Sequence, residues 1–485
     1  MALEFPAVLA LLRECILFAA LALPTEAEGA RPAPVADSVD LSTRPGSAGS
    51  VDTAAGPGPV PVAGSVDMGE DVVHGFAEHD PRRCDRSTPV GRAAAEAAPP
   101  SYDCGNYRRV KDQKTGEERL VFRKHRFVGV PQILQDPAFG TMFGLRARYV
   151  KRRPGTRLDR VQLDLAARIS TLKVQDHDLR LQLRDLLGRN EMIFVLGAID
   201  VNPTYPYLGV ANNKPLIGVD FRDPYYTVKL RTFAASLVYA EPAWMVPATA
   251  DHPPGFLRWF VGATFAVDRF EPYEDSLFAK ERPEEVGLQR RGYFVGGLQW
   301  DRRDNEWHPT TGALHEASWT LAGPWAGGSR SWSRFSLLAR WYRALGSKKI
   351  VFAQAAILDA LIGLPPLIPL GQVGGLEPMD GLGGLSFGRG YYRRRFIGDT
   401  KAAVMTELRY TPINFKLLRW SVGLGVRAFV DVVKVFQANE SLHANLHPSG
   451  GGGLYVLWDR FFVLRGDFGY SAEGAALYIS GGHPF

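Results

Sequence analysis

At 485 residues, with 46% hydrophobic content and a mean hydropathy of −0.11, the chain is too polar on average for a bundle of membrane helices. Beyond the N-terminus no run of about 18 or more uninterrupted apolar residues occurs, which excludes a helical span there. The formal charge of +6 and pI of about 9.1 come from residues scattered singly, not from a basic block interleaved with aromatics, so nucleic acid is not an expected partner.

In chain order, the first feature is an apolar stretch from Ile16 to Leu23, preceded by Arg13 and followed by Pro24-Thr-Glu-Ala27. It reads as the core and small-residue cleavage site of a signal peptide over residues 1–28, although Glu4 and Glu14 depart from the usual positive leader. Residues 29–135 are rich in Pro, Ala and Gly and predict a largely disordered linker, since such a segment buries too little apolar area to offset its ordering entropy. Its Ser-Val-Asp recurrences, at Ser38, Ser50 and Ser65, are too short for a structural repeat. Cys15 falls in the export signal, and whether Cys84 and Cys104 pair is left open by their spacing.

From residue 136 to Phe485 the pattern is two-residue alternation. Val422, Leu424, Val426, Ala428 and Val430 share one face, while Ser421, Gly423, Gly425, Arg427, Phe429 and Asp431 share the other. A helical period would scatter these residues around its circumference, whereas a strand separates them. Strands are predicted over 143–150, 161–172, 178–186, 191–200, 225–239, 256–267, 292–303, 312–321, 332–343, 349–359, 402–410, 420–435, 449–458, 460–470 and 475–485, with a weaker one at 214–221. That total is about sixteen. An all-β protein with so many strands must protect their edges, and closure into an antiparallel transmembrane β-barrel does so while satisfying every backbone group in lipid.

Three segments carry a more specific signal. Asp301-Arg-Arg303-Asp304-Asn305 is followed by Pro309 and Gly312; Arg389-Gly390-Tyr391 sits in a long polar stretch; and Phe429-Val-Asp431 lies on a predicted strand. Together they resemble the outer-membrane assembly and translocation barrels typified by BamA and TamA, also called bacterial surface antigen barrels. The first segment is similar to that family's D-x-R-D-N…P…G hairpin, and the second to the R-G-[FY] tip of a loop that folds into the lumen. The third resembles the F-x-D-x-G strand whose carboxylate receives the loop arginine, with Val433 in place of the glycine. Phe485 resembles the C-terminal residue of a closing strand read by assembly machinery.

The resemblance implies a sixteen-stranded barrel with an inward-folded loop, without covalent chemistry or cofactor, acting in protein insertion or translocation at the bacterial outer membrane. Its partners would be membrane lipids and outer-membrane or periplasmic proteins. Family members that assemble or export proteins carry periplasmic POTRA domains, whereas residues 29–135 offer no βααββ pattern, so the resemblance is to POTRA-less members. The expected opening is a seam between a first strand near Phe143 and a last strand at Leu477 to Phe485.

Two rivals remain. A passive diffusion channel would use an arginine-lined lumen to favour anions. A serine hydrolase would use Gly384-x-Ser386-x-Gly388 as a nucleophile elbow, with Asp431 and His443 or His447; an elbow must lead from a strand into a helix, and none is predicted after Ser386. His443 and His447 have i, i+4 spacing but sit beside Pro448 and Gly450 and lack a third ligand, so no metal is expected.

Overall fold

The computed structural model describes residues 107–111, 118–122, 125–152, 159–189, 191–246, 255–305, 308–417, 420–437, 440, 444–458 and 462–485. The signal-peptide segment, Cys84, Cys104 and His443 lie outside them, as does most of the predicted linker.

A short hairpin, β1 (Tyr107–Lys111) and β2 (Glu118–Phe122), comes first. The barrel begins with β3 (His125–Asp136), β4 (Gly140–Arg152), β5 (Asp159–Ser170) and β6 (Gln175–Arg184). It continues through β7 (Met192–Pro206), β8 (Thr227–Val246), β9 (Gly255–Pro272) and β10 (Gly287–Asp301). Next come β11 (Gly312–Ala322), β12 (Trp332–Leu345) and β13 (Ser347–Gly363). A long loop, residues 364–399, carries a small hairpin of β14 (Gln372–Val373) and β15 (Met379–Asp380). The wall is completed by β16 (Thr400–Leu417), β17 (Trp420–Phe436), β18 (His447–Trp458), β19 (Phe462–Ser471) and β20 (Gly474–Gly481). Among the described residues, sixteen strands form one closed barrel in which each antiparallel neighbour follows in chain order and β20 returns to β3. No helix among the described residues is long and apolar enough to cross a membrane.

Alternation sorts the side chains as the sequence predicts. On β17, Leu424, Val426, Ala428 and Val430 point outward and are exposed, while Gly425, Arg427, Phe429 and Asp431 are buried inside. On β5, Leu165, Ala167 and Ile169 face out and Asp164, Ala166 and Arg168 face in. An apolar exterior over a charged interior is the reverse of a water-soluble sheet and suits hydrocarbon outside. The interior is packed. A cluster of Leu338, Tyr342, Ala355, Met405 and Val433 from the wall meets Phe387, Tyr391 and Phe396 from the long loop.

Three boundaries differ from the sequence reading. The first barrel strand is β3, not a strand near Phe143, so both β3 and the β1–β2 hairpin fall inside the segment expected to be a linker. Pro131 masked it, because proline within a run argues against a central strand; β3 is the edge strand at which such a residue is tolerated. Residues 214–221 form no strand and belong to an irregular loop, so the count of sixteen survives by one loss and one gain. The last strand ends at Gly481, not Phe485. Gly482 adopts a left-handed φ of 80° and turns the chain inward, so Phe485 is buried beside Tyr342 and Met405.

If the outward face meets lipid, Val430→Arg, which places a charge near the middle of β17, should lower folding stability in bilayers by about 2–4 kcal/mol. Urea titration in lipid vesicles of stated thickness measures this, and an unchanged midpoint would contradict the assignment of that face.

Candidate functional site: the loop tip and the charged wall it meets

The tip of the long loop reaches five consecutive strands. Arg389 donates from its backbone N to Asp431 Oδ2 (3.0 Å), from Nε to the same oxygen (2.9 Å) and from Nη2 to Oδ1 (2.8 Å). Its Nη1 donates to Glu407 of β16. The guanidinium lies 3.6 Å from the centroid of the Phe429 ring. Arg389, Asp431 and Glu407 are all fully buried. The planar guanidinium fork matches a carboxylate in two places at once, which lysine cannot do. Burial alone would depress the arginine, but the Asp431 and Glu407 carboxylates more than offset it and hold its pKa above the ordinary arginine value.

Gly390 lets the tip sit against the wall. Its φ is 108°, and a Cβ there would fall 2.8 Å from the backbone carbon of Tyr470. Its N–H donates to Tyr478 Oη (3.2 Å), and that hydroxyl donates to the Tyr391 carbonyl (3.0 Å). Ser471 Oγ donates to the Gly390 carbonyl (2.9 Å), and the Tyr391 hydroxyl to the Pro448 carbonyl (3.1 Å). The tip therefore ties β16 and β17 through Arg389, and β18, β19 and β20 through Gly390 and Tyr391.

Sequence reasoning picked out Arg389, Gly390, Tyr391, Phe429 and Asp431, which the structure brings together. It gave Glu407, Ser471 and Tyr478 no partner in the site, and it missed the extension of the charge network. Arg409 donates from Nε to Glu407 (2.7 Å), Arg427 from Nε to Asp467 (2.7 Å), and Arg465 from Nε to Ser480 Oγ (2.7 Å). The available signal was that each of these residues occupies an inward position of its strand, beside a predicted inward carboxylate.

The hairpin motif lies at the opposite rim and makes a stapled turn. Arg303 pairs with Asp301 (Nη2 to Oδ2, 2.6 Å). Asp304 accepts from the backbone of Thr310 (2.8 Å) and Thr311 (3.1 Å), and Asn305 Oδ1 accepts from His308 N (2.9 Å). Pro309 is buried, and at Gly312 (φ 101°) a Cβ would collide with the Arg302 carbonyl at 2.0 Å. The turn presents His308 to the inward-turned end of the chain, where His308 Nδ1 lies 2.8 Å from His483 Nε2. Arg427 Nη1 can only donate to His483 Nδ1 (3.4 Å), which leaves His483 Nε2 to carry the proton toward His308. Arg409 donates to the Phe485 carbonyl (3.0 Å).

Among the described residues, the candidate hydrolase side chains Ser386, Asp431 and His447 are not assembled into a triad. Ser386 lies in an irregular stretch of the loop, and Asp431 is engaged by Arg389. His447 stacks on Phe396 (4.0 Å) and faces Asn213 Oδ1 (3.1 Å). Among the described residues, no group of His, Cys, Asp and Glu is arranged to hold a metal ion.

Two outcomes test this geometry. Arg389→Ala strands the buried Asp431 carboxylate, while Glu407 keeps Arg409, and should destabilise the barrel by about 3–5 kcal/mol. The folded band on semi-native gels should lose heat resistance, and Arg389→Lys should not restore it; an unchanged band would remove the lock. The second outcome concerns pH. Burial, with the Arg409 charge beside it, pushes His308 down to about 4, and burial with Arg409 and His308 pushes His483 well below its ordinary value. Both are held neutral when folded, so stability is unaffected above about pH 6.5. It declines as pH falls toward 4 because the unfolded imidazoles take up protons. Thermal unfolding at pH 7.5 and 5.0 should show this loss, and His308→Gln should reduce it.

Comparison with known proteins agrees with this architecture. Residues 267–473 match the Omp85 superfamily domain, a segment that contains the hairpin motif, the loop tip and Asp431. No curated protein matches. Among solved structures, CdiB from Escherichia coli aligns with a TM-score of 0.50 at 10% identity, covering 77% of this chain and 66% of that one. BamA from Haemophilus ducreyi lacking POTRA domains 1–3 aligns at 0.47 and 14% identity, covering 83% and 81%. CdiB from Acinetobacter baumannii aligns at 0.43 and 11% identity, covering 77% and 64%. The chain thus spans about two thirds of the length of the CdiB proteins, and the likeness to the Escherichia coli one bears on the fold alone. A segment somewhat under half of the chain thus matches the Omp85 superfamily domain, and it holds the motifs on which the resemblance to the BamA and TamA type rests.

Proposed function

We propose that the chain is an integral outer-membrane barrel that helps insert or translocate other polypeptides by opening at the seam between β3 and β20. The observation that carries this reading is the asymmetry of the wall. β19 and β20 pair continuously from Leu464↔Gly481 to Ser471↔Gly474, whereas β20 meets β3 at one pair, Ile479↔Gln135. At about 0.5–1.5 kcal/mol of net stability per hydrogen bond, the seam is the cheapest place to part the wall.

Several features support opening there and not elsewhere. The turn at Gly482 takes the chain end inside, leaving most of β3 with β4 as its ladder partner. The loop tip holds β16 through β20 as one unit, through Arg389, Gly390 and Tyr391. An edge strand with unpaired N–H and C=O groups is a template for another extended segment, which suits a polypeptide client. A passive diffusion channel is less consistent with a lumen in which Arg389, Glu407, Arg409 and Asp431 are fully buried under a packed loop. The likeness to BamA and CdiB folds, and the Omp85 match, point the same way.

A reversible disulfide tests the seam. The double variant Gln135→Cys and Ile479→Cys, reconstituted in vesicles, should accelerate folding of a urea-denatured eight-stranded barrel when reduced. When oxidised it should not. Equal rates in the two states would sink the proposal.

A further inference from the structure

The outward face of the barrel is apolar over most of its height, but on three adjacent strands it turns basic at the rim of the long loops. On β8 the outward positions run Leu237, Ala235, Phe233, Arg231, Lys229; on β9 they run Val261, Ala263, Phe265, Val267, Arg269, Glu271. On β10, Arg290 follows Phe294 and Gly292 on the same face. Arg231 and Arg269 are direct cross-strand partners, and Lys229 stands opposite Glu271 one step nearer the rim. Arg290 sits opposite Val267, diagonal to Arg269. Glu271 is the acidic residue at these outward positions and pairs with Arg269 (2.8 Å). Among the described residues, no ion pair joins the side chain of Arg231 or Arg290 to a carboxylate.

Like charges placed directly opposite on one sheet face repel and destabilise the pairing. Here two guanidinium groups are so placed, with a third cation diagonal and a fourth above, and one carboxylate among them. The patch therefore carries excess positive charge that an external anion would neutralise. Its location narrows the anion. The rim bearing the 20-residue loop at 207–226 and the 36-residue loop at 364–399 is the one with long connections, and in outer-membrane barrels that rim faces outside. Phe233 and Val267 come next below Arg231 and Arg269 on this face, then Phe265, then Leu237 and Phe294, with Trp325 stacked on Phe294 (5.7 Å between centroids), an aromatic arrangement typical of a membrane interface. A ligand that is anionic at its head and apolar below fits this succession along the strands.

We infer that the outward face of β8–β10 binds a phosphate-bearing lipid headgroup of the outer leaflet, with Arg231, Arg269 and Arg290 taking the phosphate oxygens, Lys229 adding charge, and acyl chains lying along Phe265, Leu237 and Phe294. Arginine forks engage phosphate in two places at once. In sheet order the patch lies half-way round the barrel from the β3–β20 seam, so a bound lipid would anchor the wall that does not open. The inference rests on the barrel lying in a membrane but not on what its seam does.

The full chain, folded in a non-ionic detergent, is incubated with diphosphoryl lipid A or with the same lipid stripped of its phosphates, and retention is read by native mass spectrometry. The phosphorylated lipid should be retained at least about tenfold more strongly, and the triple variant Arg231→Gln, Arg269→Gln, Arg290→Gln should reduce its retention to a similar degree. Inorganic pyrophosphate at equimolar concentration should not displace it. Equal retention of the two lipids would overturn the inference, as would wild-type retention by the folded variant. Displacement by pyrophosphate would also overturn it, assigning the patch to free phosphate. If the variant does not fold, the comparison of the two lipids on the wild-type chain decides alone. None of these readouts depends on the seam disulfide, so the two proposals fail separately.

Discussion

A backbone amide or carbonyl left without a partner in hydrocarbon costs several kcal/mol, and every strand of this barrel inherits that constraint. Closure is the only arrangement of a sheet that meets it all the way round, and among the described residues fifteen of the sixteen strand junctions do so with long ladders, five of them interrupted by a register shift. The sixteenth, β20 with β3, is held at Ile479↔Gln135 alone. The integrity of the fold and, under the proposed function, its opening therefore both turn on one junction. The chain makes that junction weak by a specific means: Gly482 turns the end of β20 away before it can extend the pairing along β3.

A weak seam would be a liability if the strands on either side were loose. The long loop answers this on the β20 side. Arg389 alone makes four hydrogen bonds to carboxylates of β16 and β17, and the neighbouring Gly390 and Tyr391 extend the hold to β18, β19 and β20. Buried ion pairs contribute little net stability once desolvation is counted, because the attraction in a low dielectric is offset by the loss of water. What such a pair supplies is a single geometry: moving the tip would strand the Asp431 carboxylate without a cation. Under the proposed function, the lock would define the half-wall against which one edge parts.

Much of this was legible in the sequence because period-two alternation survives any sequence divergence that preserves inside and outside. Val426, Ala428 and Val430 facing out, with Arg427, Phe429 and Asp431 facing in, could be read from one strand alone. The pairing of Arg389 with Asp431 came from motif resemblance, since no local rule brings together residues 42 positions apart. Glu407 received no partner for the same reason in reverse: it lies on an inward position like many others, and only the register of β16 against β17, with Glu407 opposite Phe429, places it beside the guanidinium. β3 was missed because Pro131 reads as a breaker when edges are not yet known. The end of the chain was misread because alternation through Tyr478 and Ser480 says nothing about a turn set by one glycine at Gly482.

The same alternation makes the basic patch informative. Charges that point inward can find partners in a crowded lumen, as Asp268 does by accepting from Arg291. Charges that point outward from a barrel have two possible surroundings, lipid tails or the headgroup layer, and tails would impose a cost of a few kcal/mol on each. Arg231 and Arg269 stand at the ends of their strands, above a continuous apolar face. Their height therefore marks the level at which hydrocarbon gives way to headgroups. Their mutual opposition is what separates a generic interfacial cation from a site: one arginine at that level would be satisfied by water, whereas two facing each other across a strand pair are relieved most by an anion shared between them.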